Sequence, residues 1–167
     1  MNGERRAGRY NHRMDTPADP ALSVPHTRPE ANDRPTRIRV GLDALAHNLR
    51  AIQAHVGVPV MGIVKANAYG HGLVPVARHL EAQGVEQLGV AFVEEGIALR
   101  RAGVTVPILV LGGIHAPQVT QFLAHDLEVT VSSIAKLRQV EAAAEATGGK
   151  AAVHLKVEAG RGSIGEH

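Results

Sequence analysis

From Arg37 onward, short apolar runs alternate with stretches in which apolar residues recur every three or four positions. A bounded apolar run reads as a buried strand, and the three-four spacing reads as an amphipathic helix. Arg37 to Leu42 reads as an initial strand. Asp43 is a suitable N-cap for a helix carrying Leu45, Leu49, Ile52 and Val56, with Gly57 as its stop. Val58 to Val64 reads as a buried strand. Leu73 to Gln83 reads as a helix with Pro75 in its first turn, where no hydrogen bond is lost, and Gly84 at its end. The pattern then predicts strands over 88–92, 108–111, 127–131 and 152–157, and helices over 94–102, 117–125 and 134–146. Glu94 and Glu95 fall in the first turn of the 94–102 helix, where acids favour the macrodipole, and Ser133 is placed to cap the last of these helices.

Strict alternation of strand and helix argues for an α/β fold with a parallel sheet. Setting the first strand aside, the pattern amounts to about five units. An open, doubly wound sheet accommodates them. So does part of a (β/α)₈ barrel, which in full needs eight units and typically about 250 residues.

Composition narrows the class. Apolar residues make up 44% of the 167 positions and aromatics only 2%, so the core must be built from Ala, Val, Leu and Ile. That suits buried parallel strands. The absence of cysteine excludes disulfides and thiolate metal sites and agrees with an expected cytoplasmic setting. The net charge of +2 is carried by residues 1–37, which hold seven Arg against five acids; the remainder balances. No basic stripe interleaved with aromatics suggests nucleic-acid binding, and no run is long and apolar enough to cross a membrane. Residues 1–35 hold five of the nine prolines and few large apolar side chains, the composition of a disordered arm.

The candidate chemistry is concentrated in Val64-Lys65-Ala66-Asn67-Ala68-Tyr69-Gly70-His71-Gly72. If the segment is extended, Lys65, Asn67, Tyr69 and His71 share one face, and Ala66, Ala68, Gly70 and Gly72 the other. Lys65 ends an apolar strand, where α/β folds build their sites. Desolvation there would favour the neutral, nucleophilic amine. The bland alternative is a lysine that snorkels at a strand end. Lys136, on a helix, and Lys150, in a glycine-flanked turn, read as solvated.

VKANAYGHG resembles the cofactor-lysine motif of bacterial alanine racemases, in which a lysine holds pyridoxal 5'-phosphate (PLP) as a Schiff base. The resemblance runs from about Thr36 to the C-terminus through LDALAHNLRAI, GVAFVEEGIALRRAG, PILVLGG and HLKV. It implies a partial (β/α)₈ TIM-type barrel over residues 36–167, the cofactor PLP, alanine as the small-molecule substrate, D-alanine supply for peptidoglycan, and a homodimer. It implies that Lys65 carries the cofactor and acts as one proton-transfer base, and that Tyr69 helps hold the phosphate. The second acid/base of the family is a tyrosine from the C-terminal domain of the partner subunit. Only Tyr10 and Tyr69 occur here, and neither matches it. The chain is therefore expected to be an N-terminal part that lacks the C-terminal domain and has little activity alone. A non-catalytic PLP-binding module is the alternative.

The stretch from His154 to Gly165 resembles the family pattern HLKVDTGMGRIG. Lys156 then matches a lysine that is often carbamylated, the carbamate holding an arginine that contacts the cofactor. Ser163 stands at that arginine's position, and Arg161, two residues earlier, shares its face if the segment is extended.

Two further matches carry little. Gly160-x-Gly162-x-x-Gly165 has the spacing of a dinucleotide fingerprint but no room for the helix it must open. Ser133-x-x-Lys136 matches an acyl-transfer motif without its partner motifs. The ten histidines show no zinc spacing.

Overall fold

The computed structural model describes residues 38–157. The expected arm over 1–35 and the segment 158–167, with Arg161, Ser163 and the glycine fingerprint, lie outside the described residues.

The elements follow in the order α1 (Leu42–Val56), β1 (Met61–Ile63), a helical turn α2 (Lys65–Tyr69), α3 (Leu73–Ala82), β2 (Gln87–Val90), α4 (Val93–Arg101), β3 (Ile108–Val110), a 3₁₀ turn (Ala116–Gln118), α5 (Val119–Ala124), β4 (Glu128–Val131), α6 (Ile134–Thr147) and β5 (Val153–Leu155). The five strands form one parallel sheet in the order β1-β2-β3-β4-β5. This order decides between the two closures. A doubly wound sheet reverses its strand order at a switch point, whereas here every strand pairs with the next in sequence. The protein forms part of a (β/α) barrel.

Register sorts the two faces, because alternate residues of a strand point to opposite sides. Gly62, Leu88, Val90, Ile108, Val110, Val129 and Val153 fall on the helix side. Of these, Leu88, Val90, Ile108, Val110 and Val129 are buried in the core with Val76, Ala77, Leu99, Val119, Phe122 and Val140 from the helices. Burying such a side chain contributes roughly 1.5–3 kcal/mol. The other face carries Met61, Ile63, Gln87, Gly89, Leu109, Glu128, Thr130 and His154. A Cβ on Gly89 would press on Ile63 and Leu111, so the missing side chain lets the inner layer close. Towards the N-terminal ends of the strands, Gln87 Nε2 donates to Glu128 Oε2 at 2.6 Å, and His154 Nε2 meets the same oxygen at 2.6 Å. This polar bridge links β2, β4 and β5.

Several boundaries differ from the sequence reading. Ile38–Val40 form no strand and Leu42 is already helical. The run is short, and β1 pairs only with β2 among the described residues, so nothing holds it extended. Gly41, not Asp43, occupies the N-cap position of α1; Asp43 sits in the first turn. Gly57 ends α1 in the left-handed region, as its position predicted. Ile52 and Val56 are about half exposed, because α1 packs on α3 mainly through Leu45, Ala46 and Leu49. The strand expected over 58–64 shrinks to three residues, with Val58 exposed.

Two polar side chains fasten the N-terminal rim. Arg100 donates to four backbone carbonyls, those of Val104, Val106, His125 and Asp126, at 2.8–3.3 Å. Glu81 Oε1 accepts Thr105 N–H, Thr105 Oγ1 and Val106 N–H at 2.7–3.0 Å. Partial burial pushes the Glu81 carboxyl up, but these three donors and the charge of Arg100 outweigh it and hold the group below its ordinary value.

Candidate active site

Lys65 follows β1 directly. Val64 is fully buried on the helix side, and its N–H continues the ladder to Gly89 O at 2.8 Å. Lys65 therefore falls on the inner face, at the C-terminal ends of the strands, half-buried. Catalytic residues of barrel enzymes come from these strand ends.

The segment after Lys65 is not extended. Ala66, Asn67, Ala68 and Tyr69 all have φ between 51° and 58°, so the chain makes one left-handed helical turn. The expected two-face alternation is thereby overturned. L-residues avoid this region because Cβ crowds the following carbonyl. Backbone bonds hold the turn: Ala68 N–H to Val64 O at 2.8 Å, Gly70 N–H to Ala66 O at 3.1 Å, and Gly72 N–H to Asn67 O at 2.9 Å. Two side chains complete it. Asn67 Oδ1 accepts Leu73 N–H at 2.8 Å, satisfying an orphan donor at the start of α3. His71 Nδ1 lies 2.8 Å from Ala68 O, and since a carbonyl only accepts, Nδ1 carries the proton. Asn67 and His71 build the turn that follows the lysine. The small residues of the motif serve it too: Ala68 is buried in the core, and Gly70 and Gly72 take φ of 85° and 100°.

Tyr69 is 60% exposed, its ring beside an apolar recess lined by Leu45, Ile63, Val76 and Leu80. Lys156 follows β5 as Lys65 follows β1, and its N–H donates to Val131 O at 2.8 Å. Register places it on the inner face with Thr130 and His154, half-buried. The sheet thus carries Lys65 and Lys156 to the same face and the same end, on its two outermost strands. Four strand spacings separate them, roughly 19 Å along the sheet. Arg161 lies outside the described residues.

Sequence reasoning missed three features of this rim. Lys136 is not solvated: it is half-buried, with Nζ 3.4 Å from Ser132 Oγ at the end of β4. Gly112 approaches the end of β2 so closely that a Cβ would collide with Ala91 O. Glu95, expected only as an acid at a helix start, also bonds to the Lys65 turn: Oε1 accepts Asn67 N–H at 3.3 Å, and Oε2 accepts Ala91 N–H at 2.9 Å and Phe92 N–H at 3.3 Å. The Phe92 bond is the glutamate half of a capping box, which the sequence does not signal because phenylalanine carries no capping oxygen. The reach to Asn67 depends on the pairing of β1 with β2. Ser133 caps α6 as its position predicted, its Oγ accepting Lys136 N–H at 3.2 Å.

The sequence profile of the family "Alanine racemase, N-terminal domain" matches residues 40–166. The chain belongs to this family. Alanine racemase 2 of Caldanaerobacter subterraneus subsp. tengcongensis is 43% identical over 134 residues, 79% of this chain and 34% of that protein. The alanine racemase of Clostridium difficile 630 superposes with a TM-score of 0.72 at 38% identity, over 74% of this chain and 33% of that one. A histidine racemase from Leuconostoc mesenteroides subsp. sake superposes with a TM-score of 0.69 at 27% identity, over 74% and 34%. The chain spans about a third of the length of these relatives. Family membership agrees with the partial barrel. Among the described residues, no helix is long and apolar enough to cross a membrane.

Proposed function

We propose that residues 36–167 form the cofactor-carrying first part of an amino-acid racemase barrel, and that Lys65 is the amine that holds pyridoxal 5'-phosphate. The observation that carries this reading is the placement of Lys65: half-buried, on the inner face, at the catalytic end of β1, inside the family motif.

The donor set suits the group. A primary amine matches the cofactor's aldehyde. The exposed phenol of Tyr69, one turn away, suits a phosphate oxygen. Lys156 shares the rim, and Arg161, five residues later in the sequence, is the cation proposed to accompany it. Bound there, the cofactor would stabilise the negative charge that develops at Cα of an amino acid when its α-proton leaves. With the cofactor in place, the amine of Lys65 would hold or return that proton on one face. Inversion needs a second proton donor on the opposite face. Tyr69 does not match the family's second acid/base, which by resemblance is a tyrosine from the partner subunit of a dimer. Alanine is the proposed substrate and D-alanine for peptidoglycan the proposed use, in the cytoplasm.

The test is to incubate the 167-residue chain with PLP, reduce with borohydride and map the modified peptide. A pyridoxyl label on Lys65 that vanishes in Lys65→Ala supports the reading; a label confined to Lys150, or none, overturns it. Measuring D-alanine from L-alanine in an unreduced portion of the PLP-loaded sample separates the two functional classes. Labelling without turnover would favour a cofactor-binding module for this polypeptide over a complete racemase.

A further inference from the structure

We propose that Glu95 is a positioning residue for Lys65, holding the left-handed turn in place through a carboxylate shared between two barrel units. This rests on the reading of Lys65 as the cofactor amine.

The turn is a conformation that the isolated sequence disfavours. Four successive L-residues sit in the left-handed region, and such strain persists only where surrounding structure over-determines it. Bonds inside the turn tie it to itself and to α3. They do not fix its height and angle over the end of the sheet. Among the hydrogen bonds of the described residues, the side-chain link from this turn to a neighbouring unit is the one from Asn67 N–H to Glu95 Oε1. The other oxygen is anchored by Ala91 and Phe92 N–H, the first two residues past β2. Those residues are fixed in turn: Ala91 O accepts Gly112 N–H at 3.1 Å, and Gly112 lacks the Cβ that would push it away. A rigid path therefore runs from β3 through the end of β2 and the Glu95 carboxylate to the residue two positions beyond Lys65. Both oxygens are needed. An ionised carboxylate accepts at each, whereas a glutamine amide accepts at one end only. Glu95→Gln must lose either the turn or the anchor while keeping nearly the same volume.

The test uses the full chain with Glu95→Gln and Glu95→Ala, below the unfolding midpoint of every variant. Amide hydrogen exchange without cofactor comes first. Asn67 N–H is exposed in an irregular turn, yet it should be protected in the wild-type chain and exchange about tenfold or more faster in the variants, the loss expected when a bond to a charged acceptor is removed. Val140 in α6 should not change. Borohydride trapping with PLP follows, read as the ratio of label on Lys65 to label on exposed Lys150. That ratio should fall several-fold in Glu95→Gln; general destabilisation would not move it. An unprotected Asn67 amide in the wild-type chain overturns the proposal without any variant. So does an unchanged Lys65-to-Lys150 ratio in Glu95→Gln when the wild-type chain labels at Lys65. A wild-type chain that takes no label at Lys65 overturns the functional reading instead, and the exchange of Asn67 still decides whether Glu95 holds the turn.

Discussion

Replacing Ala66 with glycine should stabilise the protein and loosen its candidate cofactor lysine. Ala66 has φ 52° and ψ 52°, is exposed, and adjoins Lys65. An L-residue held there costs roughly 1–2 kcal/mol relative to right-handed backbone. Glycine removes that cost but is freer when unfolded, which takes back about 0.5–1 kcal/mol. The net expectation is a gain of about 0.5–1 kcal/mol, or a Tm higher by roughly 2–5 °C for a domain of this size. Two companion substitutions isolate the cause. Gly84 has φ 85° and open space out to 4 Å around the position a methyl would take, so Gly84→Ala adds backbone strain without a clash and should lose a similar amount. Ala68 has φ 51° but is buried in the core, so in Ala68→Gly the relief is offset by a lost methyl contact of about 0.8 kcal/mol. Urea unfolding read by far-UV circular dichroism measures all three, with unchanged slopes confirming a comparable unfolded state. The reasoning is refuted if Ala66→Gly destabilises by about 1 kcal/mol or more while Gly84→Ala is neutral. Borohydride labelling of Lys65 should slow in Ala66→Gly even as stability rises, because strain kept at a site is retained for orientation rather than for stability.

Arg100→Ala should destabilise by about 2–4 kcal/mol in the same urea assay, because four backbone carbonyls lose a charged donor together; a loss under about 0.5 kcal/mol would mean that water replaces it freely. Glu81 is held below its ordinary value of 4.5, so its contribution is full at neutral pH and disappears as the pH falls through that value and below. Unfolding curves of Glu81→Gln should therefore lie below those of the wild-type chain at about pH 7 and converge with them in acid, and a constant gap down to about pH 3 would contradict this. Gly112→Ala should cost about 2 kcal/mol or more, because its methyl meets a backbone oxygen rather than a flexible side chain; an unchanged Tm would show that the ends of β2 and β3 can separate.

The candidate site was legible in part. The lysine motif was visible as residues, and its position after an apolar strand was enough to place Lys65 at a strand end. The conformation of the motif was not legible. Alternation of large and small side chains suggested an extended strand, yet the alanines are small because they follow a left-handed turn, one of them packed into the core. Side-chain size along a chain has the same signature in both cases. Glu95 was legible as an acid in the first turn of a helix, while its bond to Asn67 joins residues 28 apart and exists only because Ile63 pairs with Gly89. Lys136 read as solvated because nothing local shows that its stem turns back over Ser132.

The amino-acid sequence alone determined the order of the five paired strands and of the helices α1, α3, α4, α5 and α6, the stops at Gly57 and Gly84, the cap at Ser133 and the aliphatic composition of the core. Each follows from local propensity, hydrophobic periodicity or backbone freedom, which act over a few residues. Tertiary structure decided the rest: the closure of the sheet, the sharing of one rim by Lys65 and Lys156, and the clamp on the left-handed turn. A local pattern is equally satisfied by an open sheet or a barrel. Only the pairing of each strand with its sequential neighbour fixes which side chains face inward, and only packing between distant residues can hold backbone in a conformation that its own sequence resists.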